Sequence, residues 1–457
     1  MKIQCISPID GSIYAERNTL KRSEVNYAIE SAKLAQSGWA ERSLSERISL
    51  VQAGVAAIGA MNEEIVLELA HQMGRPVRYR GEFGGFEERA NYMAKIAGEA
   101  LAPIEVEDSS DFCRKIKRIP HGLVLVVAPW NYPYMTAINT IAPALIAGNS
   151  VILKHSSQTL LVGERLEKAF HSVGIPKEVF VNVFLDHETT TQLIAERAFD
   201  YVNFTGSVSA GKAIEFAASG TFTGIGLELG GKDPGYVMED ANLDAAVETL
   251  IDGAMFNSGQ CCCGIERIYV HESLYDAFVE KAVTIVSGYK LGNPLEPETT
   301  MGPMANVRFA NVVRNQIINA IKDGATAHID ATSFPQDKDA YLMPQILTNV
   351  THNMDIMCEE SFGPVVGIMS VKDDAEAVML MNDSKFGLTA SIWTRDQERA
   401  EKIADQIETG TVFMNRADYL DPGLCWTGCK DTGRGGGLSM IGYHNLTRPK
   451  SYHLKKL

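Results

Sequence analysis

The sequence predicts an α/β protein with two doubly wound sheets and a small extended β arm, and three observations carry that prediction. Short runs that are apolar throughout recur, led by Leu-Val-Leu-Val-Val at 123–127 and Ser-Val-Ile-Leu-Lys at 150–154. Strands buried on both faces belong to parallel sheets covered on both sides. Segments of helical periodicity alternate with these runs, as in a doubly wound sheet. The length of 457 residues exceeds what one compact core holds, so two large domains are expected.

Taken in order, 26–38 and 45–73 carry alanine and leucine at helical spacing, and Gly74-Arg75-Pro76 ends the second segment. A third helix is expected at 86–98. At 104–118 acidic and basic residues alternate in what reads as an extended arm. The strand at 123–127 delivers Ala-Pro-Trp-Asn-Tyr-Pro (128–133), and so Trp130 and Asn131, to a strand's carboxyl end. Small residues at 137–148 give a helix before the strand at 150–154. Strands at 181–184 and 201–204 continue the pattern, and the second runs into Thr205-Gly206-Ser207 and on to Gly211. This glycine turn opens a helix whose free N–H groups suit a phosphate. A strand ends near Glu228, within Leu-Glu-Leu-Gly-Gly-Lys-Asp-Pro at 227–234. Beyond it lie a helix at 242–256, a cysteine loop, a strand at 267–270 and a helix at 273–286. A proline-rich loop at 294–303 is expected at the surface. Strands at 386–393 and 410–415 follow, then a glycine-rich tail at 430–437 and an extended end at 452–454, suited to pairing with a neighbouring subunit.

Acidic residues outnumber basic ones, 57 to 42, for a net charge of −15. Nucleic acid and anionic membrane are therefore unexpected partners, and small molecules are expected ones. The N-terminus has no apolar leader core, and no run approaches the roughly 20 residues of a membrane span. A cytoplasmic location is expected, with the eight cysteines as free thiols.

Chemistry concentrates in three stretches. Phe-Asn-Ser-Gly-Gln-Cys-Cys-Cys-Gly at 256–264 sets three cysteines side by side. Adjacent cysteines bridge poorly, and no paired C-x-x-C set accompanies them, so no metal is expected. Thiol chemistry and burial as small apolar residues remain as readings. Glu228 lies among apolar and glycine residues that raise a carboxyl pKa toward the range of a general base, although a salt-bridged strand end is the plain alternative. Asn131 offers an amide donor of the kind that stabilises an oxyanion, or else a residue of a proline-rich turn.

Together, and in this order along nearly the whole chain, these stretches resemble the aldehyde dehydrogenase superfamily. The 34 residues between Glu228 and Cys262 (262 less 228) match the family's spacing of base and nucleophile. The resemblance implies Cys262 as nucleophile, two residues after Gln260, with Glu228 activating water and Asn131 holding the oxyanion. It implies NAD or NADP at Trp130, Lys154, Ser157, Thr205, Gly206, Ser207 and Gly211, and at Glu360 and Phe362 of Glu-Ser-Phe-Gly-Pro. The family's domains would be 1–105 with 123–228 for the dinucleotide, 229–425 for catalysis, and 106–122 with 426–457 as an oligomerisation arm, in a homodimer or homotetramer. The reaction implied is oxidation of an aldehyde to the acid through a cysteine thiohemiacetal and thioester. A dehydrogenase that acylates coenzyme A and a catalytically inactive binding or structural member are the alternatives. Acylating relatives commonly lack the glutamate.

For the substrate, Tyr132, Phe256 and Trp426 align with aromatic positions of the aminoaldehyde and betaine-aldehyde branch, and Asp418 and Asp421 would favour a cation. An acidic semialdehyde, with Arg416 as its anchor, is the competitor. For the cofactor, NAD-specific members carry a glutamate at the position of Ser157, which would repel a 2′-phosphate. Ser157 removes that repulsion, Lys154 supplies positive charge and His155 adds a donor, so NADP acceptance is expected.

Overall fold

A computed structural model describes residues 1–330, 332 and 340–456. The first sheet runs Gly433–Arg434, Gly224–Glu228, Tyr201–Thr205, Leu123–Ala128, Ser150–His155, Phe180–Asn182. Its pairs are parallel except at the Gly433–Arg434 edge. Leu123–Ala128 and Ser150–His155 are buried at every residue, as their unbroken apolar character requires. The strand order reverses between Leu123–Ala128 and Tyr201–Thr205, and the crevice beyond the carboxyl ends of such a pair is where open α/β sheets take ligands. Asn131 and Thr205 stand there.

The second sheet runs Thr326–Ala327, Gln345–Thr348, Val365–Val371, Ile265–His271, Asp233–Val237, Thr389–Trp393, Thr411–Met414 and is parallel apart from its first strand. Both sheets carry helices packed in apolar clusters. A third, antiparallel sheet joins Ile104–Val106, Phe112–Pro120 and Thr447–Lys455.

Several expectations change. The segment 45–73 is two helices, Leu44–Gly59 and Asn62–Met73, bent by 68°. The break follows Gly59, a poor helix former whose missing side chain leaves room for the Phe83 ring. The extended end pairs with the chain's own Phe112–Pro120 through nine residues. Of the described residues of 426–457, only Thr447–Lys455 lies in the arm sheet. Gly433–Arg434 completes the first sheet, and Tyr443 is buried in the first core with its hydroxyl donating to Met93 O at 2.8 Å. Apolar bulk at Leu438, Tyr443 and Leu446 draws this stretch inward. The 294–303 loop is exposed only at 296–298, and Met301, Gly302 and Pro303 are buried. No single helix among the described residues is long and apolar enough to cross a membrane.

Candidate active site

The helix Leu243–Met255, capped by the Asn242 side chain, buries one face against the second sheet and ends at Phe256. Asn257, Ser258 and Gly259 then follow in the left-handed region, with φ of 55°, 56° and 69°. Asparagine and serine enter that region only under constraint, and such strain gathers at functional sites. The constraint is visible. Asn257 Nδ2 donates to Asn131 O and Gln260 O, both at 3.2 Å, and Ser258 Oγ donates to Gly302 O at 2.8 Å. Gln260 donates to Asn257 O at 2.9 Å and accepts from Ala305 N at 2.8 Å. A Cβ on Gly259 would lie 2.2 Å from Gly363 O, so only glycine fits. The buried end of the 294–303 loop is thus a support for the cysteine run.

Cys262 is half-buried, whereas Cys261 and Cys263 are 8% and 2% exposed with their sulfurs 3.5 Å apart. Hydrogen bonds from Cys262 and Cys263 hold the Cys261 thiol well below its usual range, and the contact with Cys261 pushes Cys262 and Cys263 up. Thiols in such contact titrate together, so a proton loss belongs to the group and not to one sulfur. Cys262 is the most exposed of the three, and all three line the cavity described below.

Asn131 is buried and its Nδ2 donates to Gln260 O at 3.3 Å, at the base of the cysteine run. One amide hydrogen remains for another acceptor. Its carbonyl accepts from Arg75 Nη2 at 2.5 Å. Arg75 also donates to Asn257 Oδ1 at 3.2 Å and pairs with Glu82 at 2.5 Å, while Glu82 accepts from Tyr134 N and Met135 N at the start of helix Pro133–Ala147. One buried ion pair thus ties the asparagine to the cysteine loop.

Glu228 is the last residue of its strand. Thr205 Oγ1 donates to its Oε2 at 3.1 Å, and burial pushes its carboxyl up to about 7. That is the working range of a general base near neutral pH. Cys262, Glu228 and Thr205 line one cavity of about 360 Å³. Tyr132, Phe256, Asp418 and Trp426 line it too, with the Tyr132 ring face covered by Arg75 at 4.7 Å. Burial raises the Asp418 carboxyl to about 7. Arg416 and Asp421 are not on its wall: Arg416 is exposed and stacks on Tyr419, 3.6 Å from the ring centre, and Asp421 Oδ1 accepts from Gly423 N.

Around the strand-order reversal the residues fit a dinucleotide. Ser207 caps the helix Val208–Ala218, whose first turn presents free N–H groups. A Cβ on Gly211 would meet Leu229 at 2.5 Å, so glycine lets this helix close on the strand end. Lys154 is buried, its ammonium makes no ion pair among the described residues, and burial lowers it to about 8. A buried cation without a bonded anion suits an anionic or hydroxyl-rich ligand. Ser157 is exposed in a short turn. His155 is not available to a phosphate: it is buried, its Nε2 contacts Pro133 O and its Nδ1 accepts from Ser156 N, and burial lowers it to about 4. Trp130 stacks on Phe309 at 5.2 Å and meets Phe362 edge-on at 5.5 Å. Phe362 holds φ 52°, fixed by its N–H to Glu266. Glu360 accepts from Gly231 N at 3.1 Å and is raised by burial to about 8. Gly206 links Thr205 to the capping serine.

Sequence reasoning missed Arg75, Glu82, Arg89, Asn257 and Gln260 as site residues. Arg89 alone left a signal, because it falls on the buried stripe Phe86, Ala90, Met93, Ala97 of helix Phe83–Ala100.

The profile of the Aldehyde dehydrogenase family matches residues 1–452. A succinate-semialdehyde dehydrogenase [NADP(+)] of Deinococcus radiodurans is 31% identical over 97% of this chain and 93% of its own length. A solved succinic semialdehyde dehydrogenase from Streptococcus pyogenes, in complex with NADP+, superposes with TM-score 0.94 at 28% identity, covering 99% of this chain and all of the other. An aldehyde dehydrogenase of Bacillus cereus in its NAD+ complex gives TM-score 0.95 at 28% identity, over 100% and 93% of the two chains.

Proposed function

The chain belongs to the aldehyde dehydrogenase family, and on that premise we propose that Cys262, Glu228 and Asn131 carry out its reaction. The protein is an NAD(P)-dependent oxidoreductase that converts an aldehyde to the carboxylic acid. The observation that carries the assignment of roles is the meeting, on one cavity, of an accessible thiol on a strained loop and a carboxyl titrating at about 7.

The Cys262 thiolate adds to the carbonyl carbon, forming the C–S bond and moving a pair of electrons onto oxygen. The Asn131 amide and the Cys262 backbone N–H hold that charge. The nicotinamide, when bound, supplies the hydride acceptor. The resulting thioester on Cys262 is attacked by water as Glu228 takes the water's proton, the C–S bond breaks and the acid leaves. A carboxyl near 7 at the cavity favours water over coenzyme A as acyl acceptor. The cofactor would lie along Trp130, Lys154, Ser157, Thr205, Gly206, Ser207, Gly211, Glu360 and Phe362, and the substrate against Tyr132, Phe256, Asp418 and Trp426.

In this reading 1–105 with 123–228 bind the dinucleotide and 229–425 carry catalysis. The chain works as a homodimer or homotetramer, with the arm sheet as the contact between subunits. The eight free cysteines suit the cytoplasm. The test is reduction of NAD and of NADP by a panel of aldehydes, with coenzyme A present and absent. Turnover without coenzyme A supports hydrolysis, and an absolute requirement for it contradicts the role given to Glu228.

A further inference from the structure

One cation of the cavity wall lacks a bonded anion. Arg89 is 8% exposed, and its Nη1 donates to Met135 O at 3.2 Å and weakly to Asn139 Oδ1 at 3.4 Å. Its Nε and Nη2 make no hydrogen bond among the described residues. Other buried arginines spend their donors within the fold: Arg75 pairs with Glu82 at 2.5 Å, and Arg47 and Arg267 donate from Nε and an Nη to backbone carbonyls. A guanidinium removed from water without such a partner is costly. Among the residues lining the cavity Arg89 is the only basic one.

Its neighbour repeats the pattern. Asn139, 2% exposed and also on the wall, turns Oδ1 to the guanidinium and leaves Nδ2 buried without a partner. Reversing the amide would set its NH₂ against the cation, so the orientation is determined. Unused donors from two side chains therefore line one cavity, the demand that a two-oxygen acceptor meets. The carboxyls on the wall are committed elsewhere. Glu88 accepts from Tyr419 OH at 2.6 Å and Glu228 from Thr205. Asp418 has burial against its charged form.

We propose that Arg89 and Asn139 form the recognition point for a substrate carboxylate, so that the preferred substrates are oxo acids carrying an aldehyde at one end and a carboxylate at the other. The proposal rests on the aldehyde dehydrogenase reading of this cavity. It places the cationic anchor at Arg89 in place of the exposed Arg416, and it disfavours aminoaldehydes, whose ammonium would meet the guanidinium. The rival role for Arg89 is as a charge partner of the cysteine cluster and Glu228, which with Glu82 act on it through space.

The test compares a four-carbon ω-oxo acid, the matching alkanal and the matching ω-aminoalkanal for the parent, Arg89→Met, Arg89→Lys and Asn139→Leu. The parent should prefer the oxo acid. Arg89→Met should lose about 30-fold or more in kcat/KM for it, chiefly in KM, and far less for the alkanal. Arg89→Lys should recover part of the loss, and Asn139→Leu should show a smaller loss of the same selectivity. The matching dicarboxylate should slow iodoacetamide alkylation of Cys262 in the parent and not in Arg89→Met, a readout free of turnover. Equal losses for all three aldehydes, with an alkylation pH profile displaced in Arg89→Met, would overturn the anchor in favour of the charge-partner role. A parent that oxidises alkanals but neither prefers the oxo acid nor is protected overturns the anchor and leaves aldehyde oxidation standing, whereas a parent inactive on every aldehyde overturns both. Should Arg89→Met fail to fold, Asn139→Leu and the protection of the parent still decide.

Discussion

Thr205 Oγ1 donates to Glu228 Oε2 at 3.1 Å, and the two residues are register partners at the carboxyl ends of adjacent parallel strands. The carboxyl proposed to activate water is therefore tied to the turn that opens helix Val208–Ala218. This bond favours the charged form, opposing the burial that lifts Glu228 to about 7. Thr205→Val should raise the carboxyl further and move the acid limb of the kcat profile to higher pH. An unmoved limb would separate the limb from Glu228.

Three carboxyls at or near the site, Glu228 at about 7, Glu360 at about 8 and Asp418 at about 7, are raised by burial above their unfolded values near 4. Between those values and about 8 the folded state holds more protons than the unfolded one, so these groups erode stability as pH rises through that window. Glu228→Gln removes one of them. Its Tm, relative to the parent, should be more favourable near pH 8 than near pH 5. A difference independent of pH would mean that Glu228 ionises freely.

Asn131→Ala should lower kcat about 10²–10³-fold, the usual loss for one oxyanion donor. Glu82→Gln acts at one remove, by leaving Arg75 buried without its carboxylate. It should destabilise the fold by about 3 kcal/mol and reduce kcat more than it raises KM. Denaturant unfolding and steady-state kinetics on the same sample check both parts, and an unchanged kcat would detach the ion pair from Asn131.

The strands of the first sheet were legible because Leu123–Ala128 and Ser150–His155 are apolar on both faces, a pattern with few other uses. The proposed nucleophile and base lay in stretches whose composition left burial and a salt-bridged strand end open, and the order and spacing of the motifs singled out Cys262 and Glu228. Arg75 and Glu82 were not legible, because a charge beside a helix end looks the same whether it meets water or a buried partner seven residues on. The 294–303 loop misled for the converse reason: its prolines and glycine mark a turn, and what buries Gly302 and Pro303 at its end is the distant Ser258 and Gly74. His155 looked like a spare donor until its neighbours Pro133 and Ser156 took both nitrogens.

Ser157→Glu should cut kcat/KM for NADP at least tenfold, through repulsion of the 2′-phosphate, with NAD use kept or improved. Added salt should soften the NADP loss. NADP use untouched by the substitution would place the phosphate away from Ser157.

In the proposed mechanism Cys262 carries the acyl group and Glu228 activates the water that removes it. Rapid mixing of Glu228→Gln with an accepted aldehyde and excess cofactor, followed by acid quench and peptide mass analysis, tests it most directly. A burst of reduced cofactor close to one per active site is expected, with little turnover after it and the acyl mass on Cys262 while Cys261 and Cys263 stay unmodified. Full steady-state turnover without a trapped acyl group, or the acyl group on Cys261, would contradict it.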